Sequence, residues 1–183
     1  TDLGRLQAAH ASRSLGVVDV IAASDLQRAA ETAAIIAGEL GVGPVVLDPD
    51  LRERHAGEWE GLTRAEIDAA WPGYLAPPPP VEGTPAAAAQ GAPARTESDD
   101  PRRRPPGWES DDSLVERATA ALARLHALAP DGEVLAVTHG GLVYAIERRL
   151  GAPFVRLPNL GGRWVEVDAA GACRLGDRVV LVD

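Results

Sequence analysis

Val134-Leu135-Ala136-Val137-Thr138-His139-Gly140-Gly141-Leu142-Val143-Tyr144-Ala145-Ile146 joins two apolar runs through one short polar junction. The first run has the length of a buried strand, predicted over 133–138. The second is predicted as a helix over 142–150 that ends at Gly151. A strand that closes on a histidine and turns through two glycines into a helix is built to hold an anion. The imidazole projects at the carboxyl edge of the sheet, and glycines let backbone approach a ligand closely. A helix start supplies unpaired N–H groups and the positive end of the dipole.

A second junction of the same design lies upstream. Residues 17–23 read as a β-branched strand. Ser24 is placed to cap a helix whose apolar face carries Leu26, Ala29, Ala30, Ala33, Ile36 and Leu40, with Gly41 after its end. Around these two junctions the pattern alternates. A helix is expected over 2–15, capped by Thr1, and a short strand over 45–47. A capping box at Thr63-Arg64-Ala65-Glu66 starts a short helix that stops at Pro72-Gly73. A second box at Ser113-Leu114-Val115-Glu116 opens a helix running to Pro130. Strands follow over 163–167, 172–175 and 178–182, the last two joined by a turn at Gly176-Asp177. Alternation of this kind defines an α/β fold, a mostly parallel sheet covered by helices on both faces. Ligands of such sheets sit beyond the carboxyl ends of the strands.

The chain has 183 residues, enough for one domain with a substantial core. Residues 75–107 differ in chemistry, with proline runs, Ala86 to Ala89, Asp99-Asp100 and Arg102 to Arg104. They bury too little apolar surface to offset their ordering entropy and read as a mobile insertion in that single domain. A linker between two domains is the rival reading, weakened because the α/β alternation resumes after it. The net charge of −9 argues against nucleic acid as a partner. No apolar run is long enough to span a bilayer, so no membrane partner is expected. The lone Cys173 cannot form an internal disulfide, which favours a reducing cytoplasm. All 18 basic residues are arginine, and with abundant alanine and proline this suggests a GC-rich bacterial coding sequence. A homodimer is compatible with all of this.

The junction residues carry the chemistry. Arg28 sits in the first turn of its predicted helix, where a cation opposes the dipole. An anion held there accounts for it, since a guanidinium grips phosphate oxygens bidentately; the alternative is an exposed arginine paired with Asp25 or Glu31. His139 can donate to a phosphoryl oxygen or act as base or nucleophile; the alternative is a turn histidine bonded to nearby backbone. The charged loop over 51–61 offers Glu53, Glu58 and Glu60. A carboxyl held beside a phosphate has its pKa raised by like charge and can protonate a leaving oxygen; the alternative is a solvated turn with internal ion pairs. His10 and His126 read as surface residues. Neither HExxH nor CxxC spacing is present, so no metal is assigned. There is no P-loop and no GxGxxG, and no cofactor is assigned.

Taken together, these motifs resemble the histidine phosphatase superfamily, with its phosphoglycerate mutase-like fold. Ser24-Asp25-Leu26-Gln27-Arg28-Ala29 with Thr32-Ala33 resembles the helix start whose arginine binds phosphate. Leu51-Arg52-Glu53 with Gly57-Glu58-Trp59-Glu60-Gly61 resembles the loop carrying the general acid. Trp108-Glu109-Ser110 resembles a Gly-Glu-Ser element, Val137-Thr138-His139-Gly140-Gly141 the second histidine motif, and Thr1-Asp2-Leu3-Gly4 the start of the first helix. The resemblance implies a three-layer sandwich, Glu53 as acid, His139 as a catalytic donor, and Arg28 and Gly140 as phosphate ligands. It implies a metal-independent phosphomonoesterase that acts on a small phosphorylated metabolite through a phosphohistidine. The family's Arg-His-Gly, which supplies that nucleophile, has no counterpart in the chain and is expected upstream of Thr1; a fragment is favoured over a degraded, phosphate-binding homologue. Phosphoglycerate mutase-type transfer is the alternative activity. Mutases usually carry an aromatic residue where Ala56 stands, which tilts the expectation to a phosphatase.

Overall fold

The computed structural model describes residues 1–75 and 104–182. They form two compact units. One joins Thr1–Arg54 to Ser110–Asp183, and the other is His55–Glu109.

The first unit is built on a parallel sheet of three strands. β1 (Val20–Ala23) lies between β2 (Val46–Leu47) and β3 (Val134–Val137). Val20 to Ala23 pair in order with Val134 to Val137, so the two strands end side by side. The Ser24 N–H donates to the Val137 carbonyl at 2.9 Å and extends that pairing beyond the strands. Ser24 and His139 therefore leave the sheet at the same edge.

Side chains alternate across the sheet, as strand geometry requires. Ile21, Ala23, Leu135 and Val137 face α1 (Asp2–Ala11) and α2 (Gln27–Leu40), packing with Ala8, Ala33, Ile36 and Ala37. Ala22, Val46, Val134 and Ala136 face the other way, toward Leu51 and toward Ala121 and Leu125 of α4 (Asp111–Leu128). A further cluster joins Leu114 and Ala118 of α4 to Leu142, Ala145 and Ile146 of α5 (Gly140–Arg149). This is the expected α/β architecture, a parallel sheet with helices on both faces. The buried face of α2 is largely alanine, so its backbone packs close to the sheet and carries its first turn to the carboxyl edge.

An antiparallel pair, β4 (Gly161–Val167) and β5 (Cys173–Val180), completes the first unit. It is tied to α5 by Glu147, which is 2 % exposed. The Arg178 Nε donates to the Glu147 Oε1 at 2.9 Å, and the Arg163 Nε lies 3.7 Å from the same atom. A buried carboxylate needs such partners.

Local reading erred at several boundaries. The first helix ends at Ala11 and tightens into a 3-10 turn over Ser12–Ser14 rather than continuing to residue 15. Ser24 does not cap α2; that position is Leu26, and the Ser24 hydroxyl accepts from the Leu26 N–H. The N-cap of helix α4 lies three residues before the box at Ser113. Ser110 caps it by accepting from the Ser113 N–H, and Asp111 and Asp112 in the first turn complement the dipole. Gly176-Asp177 is no turn; β5 continues through it, with the register shifting there as these two residues oppose the single Trp164. The hairpin closes earlier, where the Asp168 carboxylate accepts from Ala170 and Ala172. Gly176 instead makes room for Trp164, since a Cβ there would lie 2.9 Å from the Trp164 Cβ. Among the described residues no helix is long and apolar enough to cross a membrane.

The second unit gathers Trp71, Tyr74 and Trp108 edge-on around Trp59, with ring centroids 5.7–6.3 Å apart. Its helix α3 (Arg64–Ala70) opens with the expected Thr63–Glu66 capping box. Gly57 has φ +60, and a Cβ there would lie 2.2 Å from the Pro106 carbonyl, so both conformation and space require glycine. Most of the expected insertion over 75–107 lies outside the described residues. Its final residues are described: the Pro105 and Pro106 carbonyls accept from the N–H groups of Trp108 and Glu58.

Candidate active site

The first unit brings His139, Arg28 and Glu53 to one place. His139 ends the turn after β3 and occupies the N-cap of α5, only 8 % exposed. The Arg28 Nε donates to the His139 Nδ1 at 3.2 Å, and the His139 Nε2 lies 2.9 Å from the Oγ of the fully buried Ser24. An Nδ1 that accepts leaves the imidazole proton on Nε2, directed at Ser24. The expectation that Ser24 serves the helix start missed this contact; its signal in the sequence is only a small hydroxyl at the end of a buried strand.

Arg28 does not pair with Asp25 or Glu31. Arg52 holds Asp25, its Nε donating to Oδ1 at 2.6 Å, and Arg5 holds Glu31. That contact with Arg52 keeps the Asp25 carboxyl below the ordinary aspartate range. Among the described residues no carboxylate pairs with Arg28, which is exposed at the start of α2.

The Glu53 carboxylate is held by two backbone N–H groups. Oε1 accepts from Arg54 at 2.8 Å and Oε2 accepts from Gly141 at 3.1 Å. A Cβ on Gly141 would lie 2.2 Å from the Glu53 Oε1, so this glycine is the space the carboxylate occupies. Sequence reasoning chose Gly140 from the pair as an anion ligand. Gly140 opens α5, where the first N–H groups have no intrahelical acceptor. Its neighbour's use was hidden because Glu53 is distant in sequence. Glu58 and Glu60 belong to the second unit, where the Glu60 carboxylate accepts from the Ala56 N–H.

Burial pushes the His139 imidazole below its usual value of 6.5, Arg28 and Arg117 push the same way, and Glu53 opposes them. The fold thus favours the neutral ring. Stability from this source is complete above pH 6.5 and is lost as pH falls through the depressed folded-state value. Acidification below pH 6.5 should lower Tm more steeply for the native chain than for His139→Gln. Thermal unfolding across pH checks this, and parallel curves for the two proteins would contradict it.

A histidine, an arginine with no carboxylate partner among the described residues, and a glutamate stand at the carboxyl edge of a parallel sheet, side chains of a kind suited to phosphoryl chemistry. Comparison with known proteins is consistent with that class. The model of the histidine phosphatase superfamily (branch 1) matches residues 1–78 and 80–171. A glucosyl-3-phosphoglycerate phosphatase of Mycolicibacterium vanbaalenii is 35% identical over 182 residues, covering 91% of this chain and 72% of that protein. Phosphoglycerate mutase-like protein 4 of Arabidopsis thaliana is 36% identical over 151 residues, covering 81% of this chain and 58% of that one. A solved mycobacterial glucosyl-3-phosphoglycerate phosphatase, in complex with inorganic phosphate, superposes with a TM-score of 0.70 at 30% identity and covers 97% of this chain and 85% of its own. The chain belongs to the histidine phosphatase superfamily, branch 1.

Proposed function

We propose that the protein is a metal-independent phosphomonoesterase acting on a small phosphorylated metabolite, and that His139, Arg28, Glu53 and Gly140 form its site. The observation that carries this reading is the Arg28 guanidinium. It stands at a helix start with no carboxylate partner among the described residues, bonded to the Nδ1 of His139, while the Glu53 carboxylate is held by the N–H of Gly141 two residues further on. Such a cation awaits an anion. The phosphatases among its relatives support hydrolysis as the outcome.

The proposed chemistry uses a histidine upstream of Thr1 as nucleophile. Its ring nitrogen attacks phosphorus in line and the bond to the leaving oxygen breaks. Glu53 gives that alkoxide a proton and then, as carboxylate, takes one from the water that attacks the phosphohistidine. The arriving dianion competes with His139 for Arg28. The freed Nδ1 takes a proton from solvent and donates it in a hydrogen bond to a phosphoryl oxygen, while Arg28 and the Gly140 N–H hold the others. Glucosyl-3-phosphoglycerate is the first substrate to assay, because the relatives named above act on it by name.

The test is rapid acid and alkaline quench of the full-length protein turning over this ester in the presence of a chelator. The expected result is inorganic phosphate as product and an acid-labile, base-stable phosphoenzyme. An isomerised phosphoester in place of free phosphate would make it a mutase. Absence of any phosphoenzyme during turnover would remove the phosphohistidine.

A further inference from the structure

The carbonyl oxygens of the segment carrying Glu53 can be accounted for one by one. Those of Asp48 and Pro49 accept from the N–H groups of Leu51 and Arg52, both at 3.1 Å, within a 3-10 turn. The next four are met by side chains from distant elements. The Leu51 carbonyl accepts from the Thr138 Oγ1 at 2.7 Å, one residue before His139. The other three converge on a single guanidinium. The Arg117 Nη1 donates to the Asp50 carbonyl at 2.7 Å and to the Arg52 carbonyl at 2.9 Å, and its Nη2 donates to the Glu53 carbonyl at 3.0 Å.

Arg117 is half-buried on α4, next to the fully buried Ala118 and one turn after the fully buried Leu114. Its backbone is therefore fixed in the core. A guanidinium is a flat fork of donors in set directions, so three carbonyls bound to it are fixed relative to one another. These three belong to Glu53 itself, to the residue before it, and to the middle of the 3-10 turn that launches it.

We propose that Arg117 is the positioning residue for the general acid: by gathering the Asp50, Arg52 and Glu53 carbonyls it sets the backbone from which the Glu53 carboxylate reaches the site. This rests on Glu53 as the acid proposed above. Arg117 is proposed to act on the reaction through Glu53, whose backbone it holds. Its charge is also felt at His139. Loss of the fork lets the segment shift, and a displacement of about 1 Å at a catalytic group costs roughly 100-fold in rate.

The experiment compares Arg117→Met, Arg117→Lys and Glu53→Gln in the full-length protein on two substrates. An alkyl phosphate leaves as an alkoxide and needs the acid, whereas a dinitrophenyl phosphate leaves as a stabilised phenolate and does not. The readout is the ratio of kcat/KM between them. Because both are measured on one sample, a misfolded fraction cancels. Arg117→Met should lose roughly 100-fold on the alkyl ester, change little on the dinitrophenyl ester, and so share the pattern of Glu53→Gln. Arg117→Lys, which keeps the charge but not the fork, should fall between. If Glu53→Gln is selective but Arg117→Met lowers both substrates equally, Arg117 is a structural residue and the proposal is overturned. If Glu53→Gln is itself unselective, Glu53 is not the acid and the proposal fails with that reading. A second measurement needs no turnover. Amide exchange at Arg54 and Gly141, both bonded to the Glu53 carboxylate, should quicken in Arg117→Met relative to the β1 amides. Unchanged exchange at these two amides would overturn the proposal.

Discussion

Arg28→Met in the full-length protein should lower kcat/KM for phosphomonoester hydrolysis by roughly 10²–10³ while leaving Tm unchanged or slightly raised. The side chain is exposed, and among the described residues its bond to another side chain is from Nε to the His139 Nδ1. Little packing is lost when it goes. A cation in the first turn of a helix costs about 0.3–1 kcal/mol against the dipole, so its removal relieves α2. In the proposed mechanism the same charge holds the transferring phosphoryl group, where a donor is worth about 3–4 kcal/mol. Activity and stability should therefore move apart. Parallel steady-state kinetics and thermal unfolding check this; a variant that loses both in proportion would make Arg28 a structural residue.

Gly141→Ala should cost roughly 100-fold in kcat/KM on an alkyl phosphate with little change in Tm. The new methyl group would lie 2.2 Å from the Glu53 Oε1, so the carboxylate must leave. What moves is the end of a flexible side chain rather than backbone, and alanine favours a helix over glycine by about 1 kcal/mol. The fold can absorb the change and the acid cannot. Wild-type kinetics in Gly141→Ala, with its Glu53 still bonded to residue 141, would contradict the assigned geometry.

Both residues lie at junctions that are legible without coordinates, because period and punctuation define them. The apolar run before His139 and the one before Ser24 pair in register, which brings their ends together. Arg28 was visible because it violates a local rule of helix electrostatics. Other features depend on long-range geometry and left no local trace. Ser24 has the chemistry of a helix cap, but the Ser24 N–H pairs with Val137 and its hydroxyl faces His139. Arg117 has the sequence context of an amphipathic helix surface, yet its donors reach carbonyls more than sixty positions away. Gly176-Asp177 has the composition of a tight turn and lies inside β5 because Trp164 needs the space opposite it. Periodicity identifies elements and their edges; which side chains meet across those edges is decided by packing.

The central claim, that His139 and Arg28 share one anion, is tested most directly by a phosphate titration. The imidazole nitrogens of His139 are followed by ¹⁵N NMR near neutral pH. The free protein should show a neutral ring with its proton on Nε2, as the contacts to Arg28 and Ser24 require. Saturating phosphate should shift Nδ1 toward the protonated form as Arg28 turns to the anion, and Arg28→Met should weaken binding and reduce that shift. Phosphate that binds with no change at either His139 nitrogen would place the anion elsewhere and contradict the account.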